Sequence, residues 1–169
     1  MWKKYFGPFA VIIGIDINGE CKEHEKPQLD IHVRIGSQSD ERFLLSVLRE
    51  FGRPDIVLDD GSHKMKDVNA TFEFLYYRMN KNGVYFVEDL CTAYWNEYGG
   101  SLCGKDTFIE KCKGFLDSLN GFNIRNGDGG MPDKFTEQTF SMCAYDSIVV
   151  FEKMEGRKKL ATFSTPDDM

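Results

Sequence analysis

No two cysteines of this 169-residue chain stand in a CxxC pair, and a total of five, at 21, 91, 103, 112 and 143, leaves one without a mate in any complete disulfide scheme. That pattern argues against an extracellular disulfide framework and for reduced thiols in a cytoplasmic protein. Positive charge is not concentrated either. The net charge is −6, and apart from a short GRKK at 156–159 the basic residues are scattered. Binding to phosphate backbones needs a basic face, so no nucleic-acid partner is expected. No apolar run is long enough to span a bilayer, and no membrane role is expected. The opening MWKKYFGPFAVIIGI places two lysines before an apolar run, as a signal peptide does. The run is short, contains Pro8, meets no small-residue cleavage site and is interrupted by Asp16, so it reads as part of the domain. Repeats and linkers are also lacking. The chain suits one domain over 1–155, followed by a polar tail over 156–169.

What is present is a generous aromatic share, fourteen Phe, seven Tyr and two Trp, and a regular alternation of short apolar runs with helical patterns. VIIGIDI (11–17) reads as a strand buried on both faces, IHVRIG (31–36) as a second, DIVLDD (55–60) as a third and NGVYFVED (82–89) as a fourth. Between them, apolar residues at 43, 44, 47, 48 and 51 lie on one helical face that stops at Gly52. Val68, Phe72, Leu75 and Met79 form a second stripe, and Phe108, Cys112, Phe115 and Leu119 a third. A Gly-rich loop, IRNGDGGMPDKF, precedes two strands turned at Tyr145-Asp146-Ser147. The expected fold is α/β, a mainly parallel sheet covered on both faces, with a C-terminal antiparallel hairpin.

Ligands of such sheets bind beyond the carboxyl ends of the strands. There the acids of this chain collect: Asp16 after the first strand, GSQSD after the second, Asp59-Asp60 after the third, Glu88-Asp89 after the fourth. Three carboxylates on two neighbouring strand ends suit a hard cation such as magnesium, which takes few protein oxygens and fills its remaining positions with water or substrate. An imidazole beside such a metal can deprotonate a hydroxyl that the metal has acidified.

GIDI, GSQSD, DIVLDDGSH and GVYFVEDLCTAYWNEYGG, in this order, resemble the class I S-adenosylmethionine-dependent methyltransferases, and among them the macrolide sugar O-methyltransferases of the macrocin and mycinamicin type. The likeness extends to YDSIVVFEK at the last hairpin. The resemblance implies a Rossmann-like sheet, with S-adenosylmethionine and Mg2+ as cofactors and a glycosylated small-molecule natural product as acceptor. It implies that Asp16 accepts from the ribose hydroxyls of the donor and that Ser37, Gln38 and Ser39 border the adenine, with Asp59 also on the cofactor side. It further implies that Asp60, Glu88 and Asp89 hold the metal, that His63 is the general base, and that Tyr94 and Trp95 shape the acceptor pocket. The family's first strand and Gly-rich loop have no counterpart here, since MWKKYFG looks like the end of the helix that follows that loop. The chain therefore resembles an N-terminally incomplete methyltransferase, inactive if donor binding depends on that loop. The strands ending at Asp16 and Asp60, which would flank the absent one, are expected to pair directly, and exposed sheet edges to favour homo-oligomers.

Other readings accompany these. Asp60-Gly61-Ser62-His63 is equally a turn with Ser62 capping the next helix. Tyr94 and Trp95 are equally rim aromatics. The cysteines read as small core hydrophobes, with Cys91 the one to test for reactivity. His24 and His32 read as structural or exposed, and NGDGG as a flexible loop rather than a calcium loop. A non-catalytic methyltransferase-like domain that binds a ligand or partner, or a metal-dependent hydrolase on a similar sheet, remains the rival of a transferase.

Overall fold

The computed structural model describes residues 1–124, 131–154, 156 and 157. The NGDGG loop and nearly all of the polar tail lie outside the described residues. A short helix α1 (Trp2–Phe6) leads to β1 (Ile12–Asp16), two 3-10 turns and β2 (Ile31–Ile35). Helix α2 (Glu41–Phe51), β3 (Ile56–Asp59), α3 (Met65–Leu75) and β4 (Val84–Val87) follow. Then come α4 (Phe108–Leu119), a short α5 (Lys134–Gln138) and the hairpin β5 (Thr139–Tyr145) and β6 (Ile148–Lys153).

The local causes are the expected ones. Asp40 caps α2 by accepting from the backbone N–H groups of Arg42 and Phe43, and Gly52 ends the helix at φ 88°. Gly52 is suited to that role because a Cβ is disfavoured at such a φ. The stripe Val68, Phe72, Leu75 and Met79 is buried throughout, at 8% exposure or less. Phe72 is its centre, with ring centroids of Tyr76, Tyr85, Phe108, Phe115 and Phe151 at 4.7–5.3 Å. Emptying that position would cost about 3–5 kcal/mol. Helix α5 begins at the end of the segment read as a Gly-rich loop and runs on beyond it. Asp133 starts it with a capping box on Thr136, a pattern the neighbouring glycines obscure.

The strands do not form one sheet. β1 and β2 pair in parallel as a two-stranded unit, and β3, β4, β6 and β5, in that order, form a second sheet. Within the latter, β3 and β4 are parallel while β6 runs antiparallel to both its neighbours. The expected direct pairing of the strands ending at Asp16 and Asp60 is therefore incorrect. The penalty behind that expectation applies to backbone groups removed from water. Here both strands remain wetted, with Ile56 and Leu58 of β3 at 44% and 40% exposure and Gly14 of β1 exposed. For the same reason β1 is not buried on both faces: none of its five residues is buried.

Candidate active site

The carboxyl ends of β3 and β4 lie side by side, since Asp59 is in register with Val87 and the Glu88 N–H donates to the Asp59 carbonyl at 3.0 Å. Continued as a strand, residue 89 would share the face of Val87, which is wholly buried. Asp89 instead adopts φ 53°, in the left-handed region, and its side chain is 60% exposed. His63 also sits there, at φ 56°. Asp and His tolerate this region better than most residues, and non-glycine residues held in it concentrate at functional sites.

These two turns bring three side chains together. His63 Nε2 lies 3.7 Å from Asp89 Oδ2 and 3.9 Å from Asp60 Oδ1. Asp60, His63 and Asp89 each offer a ligand atom within 4.8 Å of the others. The imidazole is more shielded than the carboxylates, 24% exposed against 55% and 60%. Glu88, the third expected metal ligand, is half-buried and outside this cluster.

Asp59 stands apart from its neighbour. It is 7% exposed, and its carboxylate accepts from Tyr85 Oη at 3.1 Å and from Gln38 Nε2 at 2.9 Å. Burial pushes its pKa up to about 6, against the lowering effect of those hydrogen bonds. Gln38, expected at the adenine, also donates to Thr71 Oγ1 at 2.9 Å and accepts from the Ser62 N–H at 2.6 Å. A Cβ at Gly61 would overlap the Gln38 carboxamide, so that glycine permits the approach. The carboxamide thereby fixes the loop that carries Asp60 and His63. Nothing in the local pattern around Gln38, Thr71 or Tyr85 signals this, because their partners lie 21 to 33 residues away.

Ser62 is not the helix cap. Lys64 holds the N-cap position of α3 with no side-chain bond, while Ser62 Oγ donates to Asp67 Oδ2 at 2.8 Å and accepts from the Lys64 N–H at 3.3 Å. Asp16 lies on the separate β1–β2 unit and is exposed. Its carboxylate accepts from the Asn18 N–H at 2.8 Å and from the Cys21 thiol, and these bonds lower its pKa. Ser37 and Ser39 face each other, Oγ to Oγ, at 3.1 Å. Tyr94 and Trp95, 51% and 46% exposed, lie on the 3-10 turn that starts after Asp89 and at its end.

No family model matches the chain. Demethylmacrocin O-methyltransferase of Streptomyces fradiae is 34% identical over 156 residues, covering 90% of this chain and 38% of that protein. Mycinamicin VI 2''-O-methyltransferase of Micromonospora griseorubida is 30% identical, with the same coverage. The chain is a relative of the macrolide sugar O-methyltransferases. It spans about two fifths of the length of these curated relatives. Among solved structures, the mycinamycin-pathway methyltransferase MycE in complex with Mg and SAH matches at TM-score 0.85 and 28% identity, covering 98% of this chain and 42% of that one. A MycE complex that also contains mycinamycin VI matches at TM-score 0.84. The fold is accordingly that of a Rossmann-like methyltransferase.

The donor set suits magnesium. Asp60 and Asp89 present oxygens at the surface, where water or a substrate oxygen can complete the coordination. Among the described residues no helix is long and apolar enough to cross a membrane.

Proposed function

We propose that this chain is the donor- and metal-binding part of a magnesium-assisted O-methyltransferase acting on a sugar hydroxyl of a glycosylated small molecule. The observation that carries this reading is the convergence of Asp60, His63 and Asp89 at the ends of two paired strands. Asp60 and Asp89 would hold the metal, with Glu88 as a nearby third carboxylate. A bound magnesium ion would supply Lewis acidity, lowering the pKa of a hydroxyl that touches it. His63 Nε2, committed to neither carboxylate at hydrogen-bond distance, is free to take the hydroxyl proton. Asp16 would accept from the ribose of S-adenosylmethionine, and Ser37 and Ser39 would border the adenine. Tyr94 and Trp95 offer an aromatic surface beside Asp89 to the acceptor. The relatives named above, which are sugar O-methyltransferases, support both the reaction type and the acceptor class.

The split between the two sheets favours a second reading. Asp16 stands on a unit that no strand pairing ties to β3, so the donor side is less fixed than the metal side. A non-catalytic, metal-binding relative would have the same features. Calorimetric titration of S-adenosylmethionine into the chain, with and without magnesium, separates the two. Saturable donor binding, followed by methyl transfer to a glycosylated macrolide, is the expected result. Magnesium binding without donor binding would assign the chain to the second reading, and no loss of magnesium binding in Asp60→Asn and Asp89→Asn would remove the metal assignment.

A further inference from the structure

At the opposite end of the four-stranded sheet, where β3, β4 and β5 begin and β6 ends, the surface folds into a cleft of about 590 Å³. Among the described residues its wall carries Arg53, Lys153 and Arg157, with Glu137 as the one carboxylate and Tyr77 and Phe122 as aromatic surface. In a chain of net charge −6 this is an unusual concentration of positive charge. Lys153 is 7% exposed, and its ammonium donates to the Tyr76 carbonyl at 2.6 Å and to Gln138 Oε1 at 3.2 Å, both neutral acceptors. Burial and the charges of Lys134 and Arg53 hold its pKa down to about 8. Arg157 is fixed by donating to the carbonyls of Thr136 and Thr139 at 3.2 and 2.8 Å. Among the described residues no carboxylate pairs with Arg53, Lys153 or Arg157. Lys153 and Arg157 are held there by bonds to neutral oxygens, and the mutual repulsion of the cations, which Glu137 offsets only in part, is relieved when an anion enters.

We propose that this cleft binds a phosphate-bearing small molecule, the phosphoryl oxygens accepting from Arg53, Lys153 and Arg157. Arginine forks match phosphate oxygens in geometry, and a partly desolvated lysine adds a point charge. The site is separate from the acidic rim, and it stands whether or not the methyl-transfer reading does. A ring carried by the ligand would lie against Tyr77 and Phe122.

The test is calorimetric titration of inorganic pyrophosphate and of phenyl phosphate, with inorganic phosphate as the reference, into the metal-free chain at low salt. Saturable binding of pyrophosphate is expected, weakened by about tenfold in Arg53→Gln, an exposed position whose change leaves the fold intact. Tighter binding of phenyl phosphate than of inorganic phosphate would place the ring on the aromatic wall, whereas equal binding would assign the site to the phosphoryl group alone. No saturable binding of either probe, or pyrophosphate binding indifferent to both Arg53→Gln and Arg157→Gln, overturns the proposal.

Discussion

Gln38 reaches Asp59 across a boundary that no strand pairing crosses: its Nε2 lies 2.9 Å from the Asp59 carboxylate, joining the segment after β2 to the last residue of β3. The same carboxamide accepts from the Ser62 N–H. One side chain therefore links the two sheets and fixes the loop that presents Asp60 and His63.

Gln38→Leu keeps the bulk and removes every polar bond of that group. The half-buried Ser62 N–H and the buried Asp59 lose partners, at a cost of about 2–4 kcal/mol. Urea denaturation should show the loss, and magnesium affinity should fall with it. A midpoint equal to that of the parent would show that the link does not stabilise the chain.

The left-handed backbone at Asp89 separates strain from chemistry. Asp89→Ala and Asp89→Gly both delete the carboxylate, but only glycine adopts this conformation freely. The alanine variant should be less stable than the glycine variant by about 1 kcal/mol, with metal binding equally impaired in both. Equal stabilities would mean that the turn relaxes when the aspartate is removed.

His63 shares this conformation, so Asn, which tolerates it, is the better probe than Ala. If His63 is the base, His63→Asn loses turnover by about 100-fold or more while magnesium affinity changes little. A large drop in magnesium affinity would make the imidazole a metal ligand instead, and unchanged turnover would remove it from the mechanism.

Lys153 predicts a pH dependence at the far end of the sheet. Its pKa falls from 10.5 to about 8 on folding, among Arg53, Lys134, Arg157, Glu137 and Tyr76. Between those values the unfolded chain holds a proton that the folded chain has released, so the stability of the parent rises with pH there. Lys153→Met lacks this gain. Denaturation of both proteins at about pH 7 and about pH 9.5 should show the parent improving relative to the variant, and parallel changes would refute the assignment.

The acidic rim was legible in the sequence because each acid follows directly on an apolar run, a strictly local pattern. Asp60, His63 and Asp89 do meet, whereas Glu88, adjacent in sequence, stays outside their cluster because the chain turns at Asp89. Gln38 was read only through the family resemblance, and as a neighbour of the adenine. A glutamine in a loop carries no mark of a partner 21 residues away. The basic cleft was invisible, since Arg53, Lys153 and Arg157 are scattered along the chain and only the sheet assembles them.

The amino-acid sequence by itself determined the longer helices and the strands, through the periodicity that buries Val68, Phe72, Leu75 and Met79 together and the hairpin turned at Asp146-Ser147. Helix and strand periods are properties of neighbouring residues, so they need no knowledge of the rest of the fold. Tertiary structure alone decided that β1 and β3 stay apart, that Gln38 links their two sheets, and that opposite charges gather at opposite ends of one sheet. Each of these depends on contacts between distant residues and on which backbone edges water can still reach, and neither is written in any local run of sequence.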